Sequence, residues 1–359
     1  MEQKSKKSLI YDLSDSDLLE FIQTHNQPDY RLNQIKTGLY QKYINRPDAF
    51  TNLPLEFRND LGNFVDFSHL TPVISLQSND GETRKTLFSL PDGNTIETVL
   101  MGYKTRQTVC ISSQAECAMG CIFCATGQIG FGRNLSCGEI IEQVIYYARL
   151  LSSNNEKISN VVIMGMGEPF HNYDATILAI DLMNQPDGMN IGARRFTIST
   201  VGIIPMIRRF TKENRQVNLA VSLHAADDGL RSKLIPINKK YPLDELMIAC
   251  KDYVEVTHRR ISFEWALIRD VNDSPEQARL LAKRVHNLLC HVNIIPLNPT
   301  TKYSGRSTTQ NRAKDFQAIL AQHGIPCTIR LRRGIDIQAG CGQLAGNAHT
   351  LLNQFQIHS

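Results

Sequence analysis

Three cysteines stand close together in one glycine-bearing loop, Cys117-Ala-Met-Gly-Cys121-Ile-Phe-Cys124. Thiolates at this spacing favour a shared metal or cluster over separate positions in a core. A structural zinc ion takes four protein ligands, whereas a four-iron cluster held by three thiolates keeps one iron open for a small chelating ligand. Three unrelated buried thiols are the other interpretation, since free cysteine is often buried. The C-x3-C-x2-C spacing therefore predicts an iron–sulfur cluster with an open iron.

Together with Ala125-Thr-Gly127, this motif resembles the radical S-adenosylmethionine (SAM) superfamily. In that superfamily the open iron chelates the amino and carboxylate groups of SAM, and one electron cleaves SAM to methionine and a 5'-deoxyadenosyl radical. More narrowly, the chain resembles the RlmN and Cfr family of RNA adenine methyltransferases over residues 97–346. Three further motifs carry that resemblance: Cys110-Ile-Ser-Ser-Gln114, Gly165-Met-Gly-Glu-Pro169 and Gly340-Cys341-Gly-Gln-Leu344.

Length and composition set the broad class of protein. A chain of 359 residues with 42% hydrophobic content can bury a large core, and we expect one large domain and one small one. A net charge of +4 permits an anionic partner without requiring one. The charged start lacks the apolar segment of a secretory signal, and no apolar run reaches membrane-spanning length. Nine cysteines without an export signal indicate reduced thiols, so we expect a cytoplasmic protein with no membrane association.

Residues 1–70 are predicted to form a small helical domain. N-cap candidates stand at 14–17, apolar residues recur at helical spacing over 31–43, and a third helix is expected over 54–61. Its basic side chains either touch RNA phosphates or form a solvated face, and the family resemblance favours the first. They are Arg31, Lys36, Lys42 and Arg46.

Residues 71–104 read as a β-rich connector. Three short β-prone runs, with a turn over 91–94, predict a hairpin laid beside the main domain. Residues 347–359 are expected to form a C-terminal tail.

Strands and helices alternate over residues 105–346, which predicts βαβ units and a parallel sheet. Strands are expected at 108–112, 160–164, 195–199, 217–222, 261–268, 291–297 and 327–332, and helices at 138–151, 173–184, 204–212, 243–256, 275–289 and 308–324. Six units are too few to close an eight-stranded barrel. We therefore expect an α/β fold with a partial (β/α)6 barrel, which is also the architecture of the radical SAM superfamily.

Unusual residues follow the ends of these strands, where the active sites of such barrels gather. The sequence Gly165-Met-Gly-Glu168 is by itself a tight turn or a close approach to a ligand. The resemblance implies that Gly167 and Glu168 bind SAM, with Glu168 accepting from its amino group. It assigns further SAM-binding positions to Ser199, Ser222, Leu223, His224 and Asn298. Alone, His224 would be an ordinary core or surface histidine and Ser199 a strand hydroxyl.

Cys341 stands between two glycines, which indicates a mobile and exposed thiol rather than a buried structural one. The resemblance implies that Cys341 takes a methyl group from one SAM. The radical made from a second SAM then abstracts hydrogen from the S-methyl group, and the resulting methylene radical adds to an adenine carbon. This chemistry requires a base for the ring proton and a second thiol that releases Cys341 as a transient disulfide. By motif match these are Glu97 and Cys110. The remaining cysteines, Cys137, Cys250, Cys290 and Cys327, are expected to be structural.

RlmN-type enzymes methylate C2 of an adenine in the peptidyl transferase centre of 23S rRNA, and some act on the tRNA adenine beside the anticodon. Cfr-type enzymes methylate C8 of the same rRNA adenine and confer antibiotic resistance. Pro169, 131–135 and 238–241 look more like RlmN, so C2 is favoured. The expected partners are 23S rRNA, tRNA and a single-electron donor such as flavodoxin or ferredoxin, with the protein a monomer. Three residues depart from the usual family pattern: Glu116 stands where glycine is usual, Gln338 where aspartate is usual and Gly340 where alanine is usual. Gly340 is expected to add freedom to the loop that carries Cys341.

Two other classes of function compete with this hypothesis. A zinc-dependent RNA-binding protein would use Cys110 or Cys341 as the fourth ligand, but leaves Gly165-Met-Gly-Glu168 without a role. A radical SAM enzyme with a small-molecule substrate leaves the helical domain and the pair of Cys341 and Glu97 unexplained. Four basic clusters could contact RNA or form solvated faces: 194–195, 208–209, 259–260 and 330–333.

Overall fold

The computed structural model describes residues 7–330 and 332–345. The predicted tail, 347–359, lies outside the described residues. The N-terminal part is helical, as expected, and a short parallel strand pair closes it. Its elements are β1 (Ser8–Leu9), α1 (Asp15–Thr24), α2 (Arg31–Tyr40), α3 (Leu55–Phe64) and β2 (Val65–Asp66). Helix α1 begins where the sequence predicts, because Ser14 and Asp17 form a reciprocal capping box.

Lys36 corrects one prediction for this helical domain. Its side chain is buried, and its ammonium lies 2.9 Å from a carboxylate oxygen of Asp15 and 2.6 Å from one of Asp187. Asp187 belongs to the α/β part of the chain, so the pair joins the two parts. The prediction that Lys36 contacts RNA phosphates is therefore wrong. Lys42 and Arg46 are exposed and remain candidates.

The predicted connector is part of the main sheet rather than a hairpin beside it. It forms three antiparallel strands, β3 (Thr71–Gln77), β4 (Thr83–Ser89) and β5 (Thr95–Tyr103), and β5 pairs antiparallel with β6 (Arg106–Ile111). The turn between β4 and β5 is where the sequence places it, with Gly93 at φ +83°. The strand β5 is therefore both the edge of the connector and a direct neighbour of the first barrel strand.

The rest of the chain alternates strands with helices and confirms the α/β fold. In chain order it comprises β7 (Gln114–Glu116), β8 (Phe131–Asn134), α4 (Cys137–Ser152), β9 (Ile158–Ile163), α5 (Tyr173–Asn184), β10 (Phe196–Thr200), α6 (Ile204–Glu213), β11 (Asn218–Ser222), α7 (Asp228–Leu234), α8 (Leu243–Thr257), β12 (Ile261–Leu267), α9 (Pro275–Arg284), β13 (Cys290–Pro296), α10 (Gln310–Gln322) and β14 (Cys327–Ile329). The ten-stranded sheet runs in the order β14-β13-β12-β11-β10-β9-β6-β5-β4-β3, and the pairs from β6 to β14 are parallel.

The middle of the parallel part of the sheet is buried on both faces, as parallel sheets with helical crossovers are. On β12, for example, Trp265 and Ala266 follow each other and so point to opposite faces, and both are buried. Helix α7 is the main element that the apolar pattern did not predict, because it is short and carries few apolar residues. No described helix combines the length and the apolar character that crossing a bilayer requires.

Candidate active site

The cysteine loop follows β7 and lies against the carboxyl ends of the parallel strands. Cys117, Cys121 and Cys124 line one cavity. The main-chain nitrogen of Cys117 donates to Gly130 at 2.6 Å, which ties the loop to β8. A Cβ at Gly127 would lie 2.9 Å from the main-chain nitrogen of Cys121, so only glycine fits this position. The loop is therefore held in a fixed shape around the cavity.

The three thiols suit a cluster better than a single ion. Burial raises the pKa of Cys117 to about 12 and also raises the pKa of Cys121 well above its usual value, so cluster binding must displace their protons. Among residues 7–330 and 332–345, no three His, Cys, Asp or Glu side chains converge on one ion position. In a cubane cluster each thiolate binds a different iron, so the sulfurs surround a volume instead of a point. A loop of three thiols around a cavity fits that requirement.

The second wall of the cavity comes from the turn after β9. Gly167 has φ +102°, and a Cβ there would lie 2.6 Å from the side chain of Gln114. Glu168 is buried, and its two carboxylate oxygens accept from the main-chain nitrogens of Phe170 at 3.0 Å and Val201 at 2.8 Å. Burial raises the pKa of Glu168 to about 7 although these hydrogen bonds oppose it. The turn thus presents a carboxyl group that titrates near neutral pH.

The ends of β10 and β11 bring Ser199 and Ser222 together, with their hydroxyl oxygens 3.5 Å apart. His224 follows at φ +58°, and its Nδ1 accepts from the main-chain nitrogen of Ala266 at 2.7 Å. Burial, and then the charge of Arg231, lower the pKa of His224 to about 3. The ring is therefore neutral at physiological pH, and its hydrogen is on Nε2.

Cys341 is exposed and lines the same cavity as the cysteine loop. Its segment docks on that loop through two main-chain oxygens: Gly342 accepts from the nitrogen of Ala125 at 2.7 Å, and Leu344 accepts from the hydroxyl of Thr126 at 2.5 Å. Asn298 donates from Nδ2 to the carbonyl of Cys341 at 3.1 Å. The two segments that carry the candidate cluster ligands and the candidate methyl carrier are therefore in direct contact.

Two of the departures from the family pattern have a structural consequence. A Cβ at Gly340 would lie 2.5 Å from Nδ2 of Asn298, so glycine permits close packing here rather than adding freedom alone. Glu116 takes φ +68°, a region that favours glycine. The usual glycine at that position would relieve the backbone.

Three of the residues proposed from the sequence do not line the cavity. Leu223 is fully buried, and its main-chain nitrogen donates to the carbonyl of Glu264. Cys110 is buried on β6, and burial followed by the negative charge of Cys341 raises its pKa to about 12. Cys110 and Cys341 are both free thiols.

Glu97, the third, is buried on β5 beside a lysine. Its Oε1 lies 3.4 Å from Nζ of Lys85, and that ammonium also donates to the carbonyl of Gln338 at 3.1 Å. Burial raises the pKa of Glu97 and lowers the pKa of Lys85, while each partially offsets the other. The pair carries no net charge, whether the proton is on Lys85 or on Glu97. The pair also holds the segment that leads to Cys341.

Sequence reasoning did not single out three buried charged residues near this site: Lys85, Arg231 and Glu264. Glu264 lines the cavity on β12 and accepts from Nδ2 of Asn293 at 2.8 Å. For Glu264 the available signal was a carboxylate inside a mostly apolar strand, Ile261–Leu267. Lys85 did not stand out, because the strand Thr83–Ser89 also carries Arg84 and several hydroxyl side chains. Arg231 gave no such signal, because an arginine in a short helix is usually exposed.

Comparisons with known proteins agree with the site. The Radical SAM superfamily matches residues 111–282. A probable dual-specificity RNA methyltransferase RlmN from Chloroflexus aurantiacus is 44% identical, with coverage of 98% of this chain and 96% of the relative. The dual-specificity RNA methyltransferase RlmN 1 of Myxococcus xanthus is 46% identical, with coverage of 93% of each.

The solved structure of a radical SAM methyltransferase from Sphaerobacter thermophilus superposes with a TM-score of 0.92 at 48% identity. The superposition covers 95% of this chain and 100% of that one. Identity at this level over nearly the whole length confirms the resemblance drawn from the motifs. The chain therefore belongs to the RlmN family of radical SAM methyltransferases.

Proposed function

We propose that this protein methylates C2 of an adenine in 23S rRNA, and also in tRNA, by way of a methyl group carried on Cys341. The observation that carries the proposal is the shared cavity: the exposed thiol of Cys341 and the three cysteines of the loop line one space. A carrier must meet a methyl donor and then a substrate, and an exposed thiol on a docked segment can do both.

The cofactors of the proposal are a 4Fe-4S cluster on Cys117, Cys121 and Cys124, and SAM on the residues around it. When bound, the cluster supplies the single electron that cleaves SAM into methionine and a 5'-deoxyadenosyl radical. Glu168 accepts from the amino group of SAM, since a buried carboxylate with a raised pKa gains most from a cationic partner. Ser199, Ser222, His224 and Asn298 orient the rest of SAM, and Gly167 with the main chain of Leu223 shapes the wall. Two SAM molecules are consumed per product.

The thiolate of Cys341 first displaces the methyl group from the sulfonium of SAM. A new carbon–sulfur bond forms on Cys341, S-adenosylhomocysteine leaves, and the thiol proton is lost to solvent. Once this carbon is bonded to the adenine ring, the adduct radical must give up one electron, for which the cluster would be the acceptor when bound, and Glu97 takes the ring proton. The thiolate of Cys110 then attacks the sulfur of Cys341, the carbon–sulfur bond breaks, and the released carbon takes up a proton to become the methyl group. The methylated base is then free, and the disulfide between Cys110 and Cys341 must be reduced before another cycle.

The buried position of Glu97 requires a movement of the Cys341 segment. Lys85 contacts both Glu97 and the carbonyl of Gln338, so the segment covers the carboxyl group. Glu97 meets the substrate base when this contact opens. The same movement lets the sulfur of Cys341 approach Cys110.

RNA is proposed to approach from the exposed side of Cys341. Arg330 is exposed, and its main-chain nitrogen donates at 2.8 Å to the carbonyl of Ile294, which precedes the cavity-lining residue Ile295. A phosphate on this side of the cavity would be attracted to Arg330. The adenine must be unstacked to enter, so protein-free or partly folded RNA is the expected substrate. A flavodoxin or ferredoxin supplies the electron, and the monomer is the active form.

Nucleoside mass spectrometry tests the proposal. The anaerobically reconstituted protein is incubated with a reductant, methyl-labelled SAM and an adenine-containing 23S rRNA fragment. We expect labelled 2-methyladenosine, which disappears in Cys341→Ala and persists in Cys327→Ala, a partly buried thiol outside the cavity. Labelled 8-methyladenosine would instead assign the Cfr-type reaction. A protein that cleaves SAM but labels no RNA base would refute the proposal.

A further inference from the structure

Arg231 is a buried cation directly behind the proposed site. It lies on α7 with no exposed surface. Its guanidinium donates to the carbonyls of Leu223 at 3.1 Å, Val201 at 2.6 Å and Ser222 at 3.1 Å, and to Oδ1 of Asn238 at 2.7 Å. All four acceptors are uncharged, so these contacts satisfy its hydrogen-bonding groups without neutralising its charge.

The nearest carboxylate in this network is reached only through an amide. Asn238 accepts from Arg231 and donates from Nδ2 to Asp228 at 2.8 Å. Asp228 is only partly buried, so solvent screens its charge. Burying a cation with no counter-ion in contact is costly, and a fold keeps such a group where a negative charge is expected nearby.

Helix α7 also contacts the cysteine loop. The main-chain nitrogen of Ile122 donates to the carbonyl of Leu234 at 3.1 Å, and Ile122 follows Cys121 directly. Val201 and Ser222, whose carbonyls accept from Arg231, line the same cavity as the three cysteines of the loop. The guanidinium therefore lies directly behind the wall that faces the proposed cluster.

We propose that Arg231 is a positioning residue whose fixed positive charge raises the reduction potential of the cluster held by Cys117, Cys121 and Cys124. A four-iron cluster with three thiolates is negatively charged, and taking one electron from the donor makes it more negative. A buried cation stabilises the reduced form more than the oxidised form, and net charge and burial are known levers on cluster potentials. The inference rests on the proposed cluster and is independent of the RNA substrate.

The test is a redox titration of the full-length, reconstituted protein, followed by electron paramagnetic resonance of the reduced cluster. In Arg231→Gln, we expect the ratio of reduced to oxidised cluster at the wild-type midpoint to fall at least tenfold, which is a midpoint lower by about 59 mV for one electron. The matched control is Arg284→Gln. Arg284 also donates to a carbonyl, that of Ala226, but it pairs with Asp244 at 2.8 Å and should leave the midpoint unchanged.

A second variant keeps Arg231 and adds a negative charge beside it, and it also removes the hydrogen bond from Asn238 to Asp228. Asn238→Asp places a carboxylate against the guanidinium, so the midpoint should again fall. Iron and sulfide contents are measured for each variant, because a purely structural role would lower cluster content without moving the midpoint. If Arg231→Gln loses its cluster, Asn238→Asp decides the question.

A wild-type midpoint in a fully loaded Arg231→Gln or Asn238→Asp would overturn the proposal, as would an equal shift in Arg284→Gln. Failure to methylate RNA, with the midpoint shifted as expected, would count against the proposed function alone.

Discussion

Replacement of Lys85 by methionine would leave the buried carboxyl group of Glu97 without its cation. The two side chains are 2% and 1% exposed, and their charged atoms lie 3.4 Å apart. Water cannot take the place of the ammonium in such a site, so the carboxyl group is expected to escape by taking up a proton. Methionine is close to lysine in length and shape, which keeps the loss of packing small.

The magnitude follows from the proton that Glu97 must bind. Protonating a carboxyl group with an ordinary pKa of 4.5 at pH 7 costs about 3.4 kcal/mol. The pKa of Glu97 in the folded variant would be far above the unfolded value. The folded state then binds more protons, so stability is retained near pH 4.5 and is lost as the pH rises. At pH 5 the same cost falls to about 1 kcal/mol.

Urea unfolding of the full-length protein at pH 5 and pH 7, followed by circular dichroism, measures this cost. Lys85→Met should lose about 3 kcal/mol at pH 7 and much less at pH 5. The double variant Lys85→Met/Glu97→Gln should recover most of the loss, because the amide carries no charge. An equal loss at both pH values, or no recovery in the double variant, would show that Lys85 acts through packing and not through its charge.

Three further predictions concern the site. SAM should bind about tenfold more weakly at pH 6 than at pH 8, because Glu168, with a pKa of about 7, must be ionised to accept from the amino group. Anaerobic calorimetry measures this difference in affinity, and the Glu168→Gln variant should bind SAM equally at both pH values. Gly167→Ala should lower the free energy of unfolding by more than ~1 kcal/mol and abolish SAM binding, because its Cβ would lie 2.7 Å from the main-chain nitrogen of Gln114 and the backbone has a positive φ. Gly192→Ala, with open space around it, should unfold thermally as the wild type does. Cys110→Ala should accumulate a covalent protein–RNA adduct through Cys341, which would migrate slowly on denaturing gels. If the variant releases the adduct at the wild-type rate, Cys110 is not the thiol that frees Cys341.

The sequence predicts the barrel well because its strands are short apolar runs, and the helices between them have recognisable ends. The helix predicted at 173–184 is found as Tyr173–Asn184, and the strand predicted at 261–268 is found as Ile261–Leu267. Polar residues at strand ends predict a shared mouth, and Ser199 and Ser222 do meet there. Local sequence patterns are enough to predict an element when burial of a repeating strand–helix unit determines its structure.

Long-range pairing explains what the sequence did not show. The connector joins the sheet because β5 pairs with β6, and alternation within a strand does not identify its partner. Lys36 reads as a surface cation until Asp187, far along the chain, is placed beside it. Arg231 likewise becomes informative only when the carbonyls of Val201, after β10, and Ser222, on β11, are placed around it. Charges of this kind are predictable only from tertiary structure.

In the proposed reaction Cys341 carries the carbon that reaches the RNA, and a pulse–chase experiment follows that carbon from SAM to the product. The reconstituted protein is first exposed to SAM with a labelled methyl group, freed of small molecules, and then given RNA, a reductant and unlabelled SAM. Mass spectrometry should find the label on the Cys341 peptide before RNA is added, and in the methyl group of the first 2-methyladenosine afterwards. Label that remains on the protein while the product carries the unlabelled methyl group would contradict the account.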